Sequence, residues 1–372
     1  MSLEPLGTAA VGAATLYALF LLGEKALLRH RRGALTHVVH VNGTRGKTET
    51  TRLVAAAFRE SGLPTLAKTT GTEPRLILPD GTEEVLRRLG APNVREQRDL
   101  LLRARGLGVR ALVAECMAVA PGPQAASTAF LEPDILVITN VRPDHLAELG
   151  TPEQTLQVFL EGIPQGGTVI TADPAIFVAL QAAAALRGAR AVLALPVEGT
   201  SARVGDNAGM ALAVATAAGI PAETALRGMR ACPPDPGAFA LRRIGDALLV
   251  DALAANDPVS TALLFARAPE GRPRILLLAN RGDRSDRTHS LLDWVLAQPQ
   301  AWDGLLTTGP LPWGTRRRLN AAFPGLDVLG RPRVRRLRRP SDLALEPAGT
   351  VLLACGNWRG LGPALASLEC PP

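Results

Sequence analysis

Lysine is nearly missing from this 372-residue chain: it stands at 25, 47 and 68 and nowhere else. The other basic residues are arginines, a composition that fits a codon or thermal bias as readily as a charged partner. Aromatic residues make up only 3%, which excludes a surface built to stack the bases of single-stranded nucleic acid. The four cysteines, at 116, 232, 355 and 370, lie far apart with no Cys-x-x-Cys spacing. That excludes a zinc knuckle or a disulfide framework and fits reduced thiols in a cytosolic setting. No internal repeat is visible.

At 47% hydrophobic residues the chain is globular, and its length allows two or three domains. The net charge of +7 and pI of about 10.0 fit an acidic partner such as a nucleotide, a polyanion or anionic lipid.

One long uncharged stretch runs from Pro5 to Gly23, dense in large apolar residues from Leu16 to Leu22. Glu24-Lys25 and Arg29-His30-Arg31-Arg32 follow. About 19 residues is near the length that crosses a bilayer, and the basic flank would keep the body in the cytoplasm. The start carries Glu4 and no positive charge, which argues against a secretory signal. Residues 1–32 are therefore expected to be an apolar membrane-anchor helix with a basic flank, single-pass in the cell membrane. Ala, Gly and Thr make its first half only mildly apolar, as in a buried or surface amphipathic helix.

The most informative stretch is Thr36 to Thr48. A β-branched run turns on Gly43 and Gly46 and places Lys47-Thr48 at the start of a helical pattern. Glycines there let backbone N–H groups approach phosphate oxygens, and the helix N-terminus adds its positive dipole end. Lys47 suits the β/γ-phosphates and the Thr48 hydroxyl suits Mg²⁺. Asn42, Gly43, Thr44, Arg45, Gly46, Lys47 and Thr48 are the expected nucleotide-binding residues, although Val41 stands where the strict Walker pattern has glycine.

Strands are expected at Thr65–Thr70, Arg110–Glu115, Asp134–Val141, Gly167–Thr171 and Ala191–Leu195, with a hairpin over Arg75–Glu83 turning at Pro-Asp-Gly. Helical patterns run between them; Thr151-Pro152 opens one with a cap and a proline at its first position. Such alternation predicts a parallel sheet covered by helices, with ligands at the carboxyl ends of its strands. Lys47, Glu115 and His145 each follow a strand end and can converge. Taken singly, Glu115 could cap a helix or pair with a cation, and His145 could be a plain turn residue. The Pro-dense break Cys232–Gly237 divides a central domain, 33–236, from a C-terminal domain, 237–372. The latter has strands expected at Ala247–Val250, Arg274–Leu278, Gly304–Thr307, Asp327–Leu329 and Thr350–Ala354. The fold class is α/β: a P-loop parallel-sheet ATP-binding domain plus a smaller Rossmann-like domain.

These residues carry a resemblance. Asn42-Gly43-Thr44-Arg45-Gly46-Lys47-Thr48 resembles the ATP loop of the Mur-ligase superfamily, whose Gly-Thr-x-Gly-Lys-Ser/Thr accounts for Val41. Thr139-Asn140 through Asp144-His145 is similar to its Thr-Asn-x-x-x-Asp-His segment, and Asp251 to Ser260 to the motif opening its C-terminal domain. More closely, Lys68–Pro74, Ile77–Gly81, Ala254–Pro258 and Asn280–Arg287 resemble the ligase subunits of poly-γ-glutamate synthases, over residues 1 to about 290. The resemblance implies ATP-dependent γ-glutamyl bond formation through an acyl phosphate, with release of ADP and phosphate. It implies ATP and Mg²⁺ as cofactors, with Thr48 and Glu115 as ligands of the ATP-bound metal and His145 as ligand of a second. Arg281 and Asp283 would serve catalysis from the C-terminal domain, and Asn256-Asp257 would line the nucleotide cleft. Glutamate and an anionic poly-γ-glutamate chain would be the substrates, small membrane proteins the partners, and nucleic acid no partner. A Mur or folylpolyglutamate-type ligase on a soluble substrate, and a regulatory ATP-binding subunit of a membrane synthase, are the alternatives. Many Mur ligases hold the second metal with a carbamylated lysine beyond the histidine; no lysine follows Lys68, leaving a carboxylate such as Glu148 or Glu153 as the stand-in.

Overall fold

Apolar, β-branched runs alternate with helical patterns along most of the chain, and the elements follow that alternation. The computed structural model describes residues 4–366 except 72, 89–92, 144–145, 198–204, 236, 256, 281, 283–284, 326, 328 and 359; for 4–11, 146–147, 285–287 and 366 only the backbone course is described. There are two units, Met1–Pro233 and Pro234–Pro372.

The first unit runs α1 (Glu4–Gly33), β1 (His37–Asn42), α2 (Lys47–Glu60), β2 (Thr65–Thr69), β3 (Arg75–Ile77), β4 (Glu83–Val85), α3 (Glu96–Gly106), β5 (Ala111–Glu115) and α4 (Pro121–Leu131). It continues with β6 (Ile135–Ile138), α5 (Leu146–Leu149), α6 (Pro152–Glu161), β7 (Thr168–Thr171), α7 (Pro174–Ala185), β8 (Arg190–Leu193), α8 (Gly205–Ala217) and α9 (Ala222–Ala231). Its strands lie in the order β4-β3-β2-β5-β1-β6-β7-β8. β1 sits between β5 and β6, pairing parallel with both (Val41 opposite Glu115, Asn42 opposite Ile138). The chain reverses its direction of travel across the sheet there, so the loop after β1 opens into a crevice at the carboxyl ends. β2, β5 and β6 are buried throughout, and β1 is buried from Val38 on. Burial on both faces is why they read as continuous apolar runs rather than alternating ones.

Local chemistry sets the helix ends. The Thr151 side chain and Gln154 form a reciprocal capping box on α6, with Pro152 in its first turn. Asp173 caps α7. α2 starts from Gly46 at φ 85°, a left-handed conformation that glycine adopts without a Cβ penalty.

The second unit runs β9 (Ala240–Ile244), β10 (Ala247–Ala252), α10 (Pro258–Phe265), β11 (Arg274–Ala279), α11 (Ser285–Leu296), β12 (Gly304–Thr308), α12 (Trp313–Ala322), β13 (Val334–Arg336), β14 (Val351–Cys355) and α13 (Gly362–Ala366). The sheet order is β13-β12-β11-β14-β10-β9. One face packs Phe265, Trp302 and Phe323 with Leu276, Leu278 and Leu353; the other packs Trp358, Leu277, Leu306 and Leu352.

The hairpin expected over Arg75–Glu83 forms as β3 and β4, antiparallel at the edge of an otherwise parallel sheet, and β9 adds an antiparallel edge strand to the second sheet. Three expectations are corrected. α4 and β9 are additional elements. Asp327 and Leu329 belong to no strand: the Asp327 carboxylate accepts from the backbone of Leu329 and Arg331, and the strand is Val334–Arg336 inside the arginine run. Finally, the N-terminal helix forms, but among the described residues no helix is long and apolar enough to cross a membrane. Glu24, Lys25 and Arg29 fall within a bilayer's length of Gly12, and the last turns dock on the body through Arg32–Asp134 (2.6 Å) and Glu24–Arg98 (2.9 Å).

Candidate active site

Three strand ends converge. β1 delivers the glycine loop, β5 delivers Glu115, and β6 delivers Thr139-Asn140. Gly43 (φ 118°) and Gly46 (φ 85°) are both left-handed, and both are hemmed in. A Cβ on Gly43 would lie 2.1 Å from the Thr139 hydroxyl, and one on Gly46 would lie 2.5 Å from the Asn207 amide oxygen. These glycines are needed for conformation and for space alike.

The loop is held by amides. Asn140 Oδ1 accepts from the Thr44 hydroxyl (2.7 Å) and the Arg45 backbone (3.1 Å), and its Nδ2 donates to the Arg45 carbonyl (3.1 Å). Asn42 Oδ1 accepts from the Gly43 N–H (2.8 Å), and its Nδ2 donates to Gln124 of α4 (2.7 Å). Asn207 of α8 donates to Glu49 on α2 (2.8 Å). Lys47 Nζ donates to the Gly43 carbonyl at 2.6 Å, so its charge sits over the loop.

Thr48 and Glu115 meet. The Thr48 hydroxyl donates to Glu115 Oε2 at 3.0 Å, and the Thr70 backbone N–H donates to the same oxygen at 2.6 Å. Glu115 is 2% exposed. Burial pushes its carboxyl above the ordinary range, and the charge of Lys47 and the hydrogen bonds from Thr70 and Thr48 pull it partly back. A Cβ on Gly71 would meet the Thr48 hydroxyl at 2.6 Å, so Thr70-Gly71 closes over the pair. A neutral hydroxyl and an anionic carboxylate oxygen side by side are the hard donors that Mg²⁺ prefers. Among the described residues no cluster of three or more His, Cys, Asp or Glu could hold a metal. This sparse oxygen set fits a cation that keeps waters and phosphate oxygens as its other ligands.

The other expected site residues fare differently. His145, Arg281, Asp283 and Asn256 lie outside the described residues. Asp257 caps α10, accepting from the Ser260 N–H at 2.8 Å. Glu148 and Glu153 are exposed. Residues that sequence reasoning did not place in the site are Gln124, Asn140, Asn207, Thr70 and Gly71. Asn140, Thr70 and Gly71 fell within quoted motifs, whereas Gln124 and Asn207 had no sequence signal. Replacing Asn140 with alanine removes three hydrogen bonds that fix Thr44 and Arg45, while the Thr44 hydroxyl keeps the Asn140 carbonyl (3.3 Å) and the Arg142 N–H (2.9 Å) as partners. With each lost bond worth about 0.5–1.5 kcal/mol, the KM for ATP is expected to rise at least about tenfold. Initial-rate kinetics would show this, and an unchanged KM would refute the pinning role.

Comparisons with known proteins agree with this geometry. The Mur ligase middle domain family matches residues 41–209, and the poly-gamma-glutamate synthase CapB C-terminal domain family matches residues 239–368. The PGA synthase CapB of Bacillus subtilis is 34% identical over 308 residues, 76% of this chain and 78% of that protein. The capsule biosynthesis protein CapB of Bacillus anthracis is 34% identical over 69% of this chain, but the match spans only 60% of that protein. Among solved structures, folylpolyglutamate synthase from Thermotoga maritima superposes with a TM-score of 0.66 at 14% identity, covering 98% of both chains. MurF from Acinetobacter baumannii gives 0.64 at 16% identity, covering 93% of this chain and 80% of that one. The folylpolyglutamate synthase/dihydrofolate synthase of Yersinia pestis, solved with AMPPNP and Mn, gives 0.63 at 15%, covering 93% of each. These likenesses establish a shared mixed α/β fold. With both family domains present in order, and this identity over most of both chains, the protein belongs to the CapB family of poly-gamma-glutamate synthases, within the Mur-ligase superfamily.

Proposed function

We propose that this chain is an ATP-dependent, ADP-forming amide ligase that extends a γ-linked glutamate polymer. The observation that carries the reading is the loop itself: Lys47 over two left-handed glycines, with Thr48 and Glu115 paired beside it. The backbone N–H groups from Gly43 to Thr48 would line the phosphates, and Lys47 would neutralise the transferring phosphoryl group. Thr48 and Glu115 would hold Mg²⁺, which supplies charge neutralisation between two anions, the attacking carboxylate and the γ-phosphate. A carboxylate of the growing chain would take the phosphoryl group, and an incoming amino group would then displace phosphate to form the amide. His145, Arg281, Asp283, Asn256 and Asp257 complete the proposed set by their motifs.

Glutamate and an anionic γ-glutamyl chain are the proposed substrates, and small membrane proteins the proposed partners. The test is ADP release from the purified chain with Mg²⁺-ATP, with and without glutamate and a short γ-glutamyl primer. Stimulation by either supports the ligase. Hydrolysis indifferent to both would point to a regulatory ATP-binding subunit.

We also propose that the body sits on the cytoplasmic side of the cell membrane, attached through α1. Leu16, Tyr17, Leu19, Phe20 and Leu22 of that helix are each 60% exposed or more, and basic residues fill its last turn. An apolar stretch beside a basic one suits a lipid surface. Removing residues 1–23 should move the protein from the membrane pellet to the supernatant on cell fractionation; an unchanged pellet fraction would exclude α1 as the attachment.

A further inference from the structure

The formal charge of +7 is not spread over the chain. Between Trp313 and Leu345 stand nine arginines and two aspartates, a surplus of seven; the remaining residues hold thirty-two cations and thirty-two anions and balance. Four of the nine arginines have internal duties. Arg331 and Arg335 close on Asp327 and Glu346, Arg333 donates to the carbonyls of Trp302 and Asp303, and Arg318 reaches Asp293. The other five, Arg316, Arg317, Arg336, Arg338 and Arg339, are exposed. Arg317 lies over the Trp313 ring, 5.6 Å from its centre. No carboxylate among the described residues lies within ion-pair distance of any of the five guanidinium groups. Elsewhere exposed arginines do find acids, as in Arg29–Glu132, Arg103–Glu84, Arg227–Glu60 and Arg272–Asp303.

Topology gathers these five. β12, α12 and β13 form one parallel strand–helix–strand unit, so α12 starts where β12 ends. Arg316 and Arg317 lie near the start of α12. Arg336 is the last residue of β13, and Arg338 and Arg339 follow it. All five therefore lie at the carboxyl end of this sheet, along its β13 edge, the end from which open α/β sheets engage ligands. The chain leaving β10 at Leu253 and β11 at Asn280 starts from the same end of the sheet. Charge on an edge strand also deters edge-to-edge pairing, but that task does not need Arg316 and Arg317, which stand on a helix.

We propose that these five arginines form a track for the growing polyanion, guanidinium groups engaging the α-carboxylates of successive γ-linked glutamates. The proposal rests on the ligase reading for the identity of the polymer. Arginine suits this task because its planar fork takes a carboxylate bidentately. Because the cations are distributed, a long chain meets several of them and a dimer does not.

The test compares the full chain with a variant carrying Arg316→Gln, Arg317→Gln, Arg336→Gln, Arg338→Gln and Arg339→Gln. Binding of fluorescein-labelled poly-γ-glutamate would be followed by anisotropy at low and high salt, beside ADP release with a γ-glutamyl dimer. Affinity for the polymer should fall about tenfold or more in the variant, with a shallower salt dependence, because exposed ion pairs act cumulatively and are screened. Dimer-stimulated ADP release should be retained. Equal polymer affinity in the two proteins would overturn the track, and so would a loss confined to phosphatidylglycerol vesicles, which would assign the arginines to lipid. If neither protein releases ADP with the dimer, the ligase reading falls, and the polymer comparison still decides what the arginines bind.

Discussion

Changing Lys47 to alanine should lower primer-stimulated ADP release by about two to three orders of magnitude, the effect typical of losing one preorganised group that stabilises charge in a transition state. The loop's shape does not depend on the lysine. Its glycines, Asn42 and Asn140 fix the backbone through their own hydrogen bonds, and Lys47 adds bonds to the Gly43 (2.6 Å) and Thr44 (3.3 Å) carbonyls. The thermal midpoint of the variant should therefore stay within a few degrees of the unaltered protein, since about 1 kcal/mol shifts a unit of this size by roughly 2–4 °C. A fall in activity matched by a collapse in stability would mean that Lys47 holds the fold, and residual stimulation above one tenth would remove it from phosphoryl transfer.

Exchanging Glu115 for glutamine should separate activity from stability. Glutamine keeps the shape, and its amide oxygen can still accept from Thr48 and Thr70, but it offers a metal no charge. Mg²⁺-dependent ADP release should fall at least about a hundredfold, as when one electrostatic stabiliser of the reaction is lost. Stability of the metal-free protein should move the other way. The Glu115 carboxyl is raised above its ordinary value of 4.5, chiefly by burial. A group with a raised folded pKa holds its proton more tightly in the folded state. The folded protein therefore loses stability as pH rises from the ordinary value through the folded one, and the loss is complete above it. At pH 7.5 in chelator the glutamine variant should melt higher than the unaltered protein, and the gap should close on acidification toward pH 4.5. A variant that melts lower at pH 7.5 would show that ionised Glu115 stabilises the fold, contrary to this account. The same ionisation makes Mg²⁺ affinity weaken at low pH, because the proton and the metal compete for one oxygen pair.

Much of this site is local and was therefore readable in the chain. A β-branched strand, two glycines and Lys-Thr at a helix start are adjacent residues whose conformations are set by short-range sterics, and they stand where that pattern places them. The buried strands read as apolar runs because both faces of a parallel sheet are covered. Glu115 was expected beside the loop, and the register that sets Val41 opposite Glu115 puts it there.

Other features depended on what lay nearby in space. The Asp327–Leu329 run looks like a strand in isolation; its aspartate instead bonds to the following backbone, and pairing with β12 makes a strand of an arginine-rich segment that periodicity alone assigns to solvent. Gln124 and Asn207 are ordinary polar residues with no local signal of a role, and only packing of α4 and α8 against the loop turns them into its supports. The apolar N-terminal stretch was read by its composition, yet its basic turns dock on Asp134 and Glu132, which lie about a hundred positions along the chain. The sequence by itself determined the phosphate loop, the alternation of strand and helix, and the excess of arginine, since each is a property of neighbouring residues. Only the tertiary structure decided which amides hold the loop, how Thr48, Thr70 and Glu115 meet, and that five arginines with no carboxylate partner among the described residues, on α12 and at the end of β13 and just beyond it, share one sheet end, because those are relations between residues that the chain keeps apart.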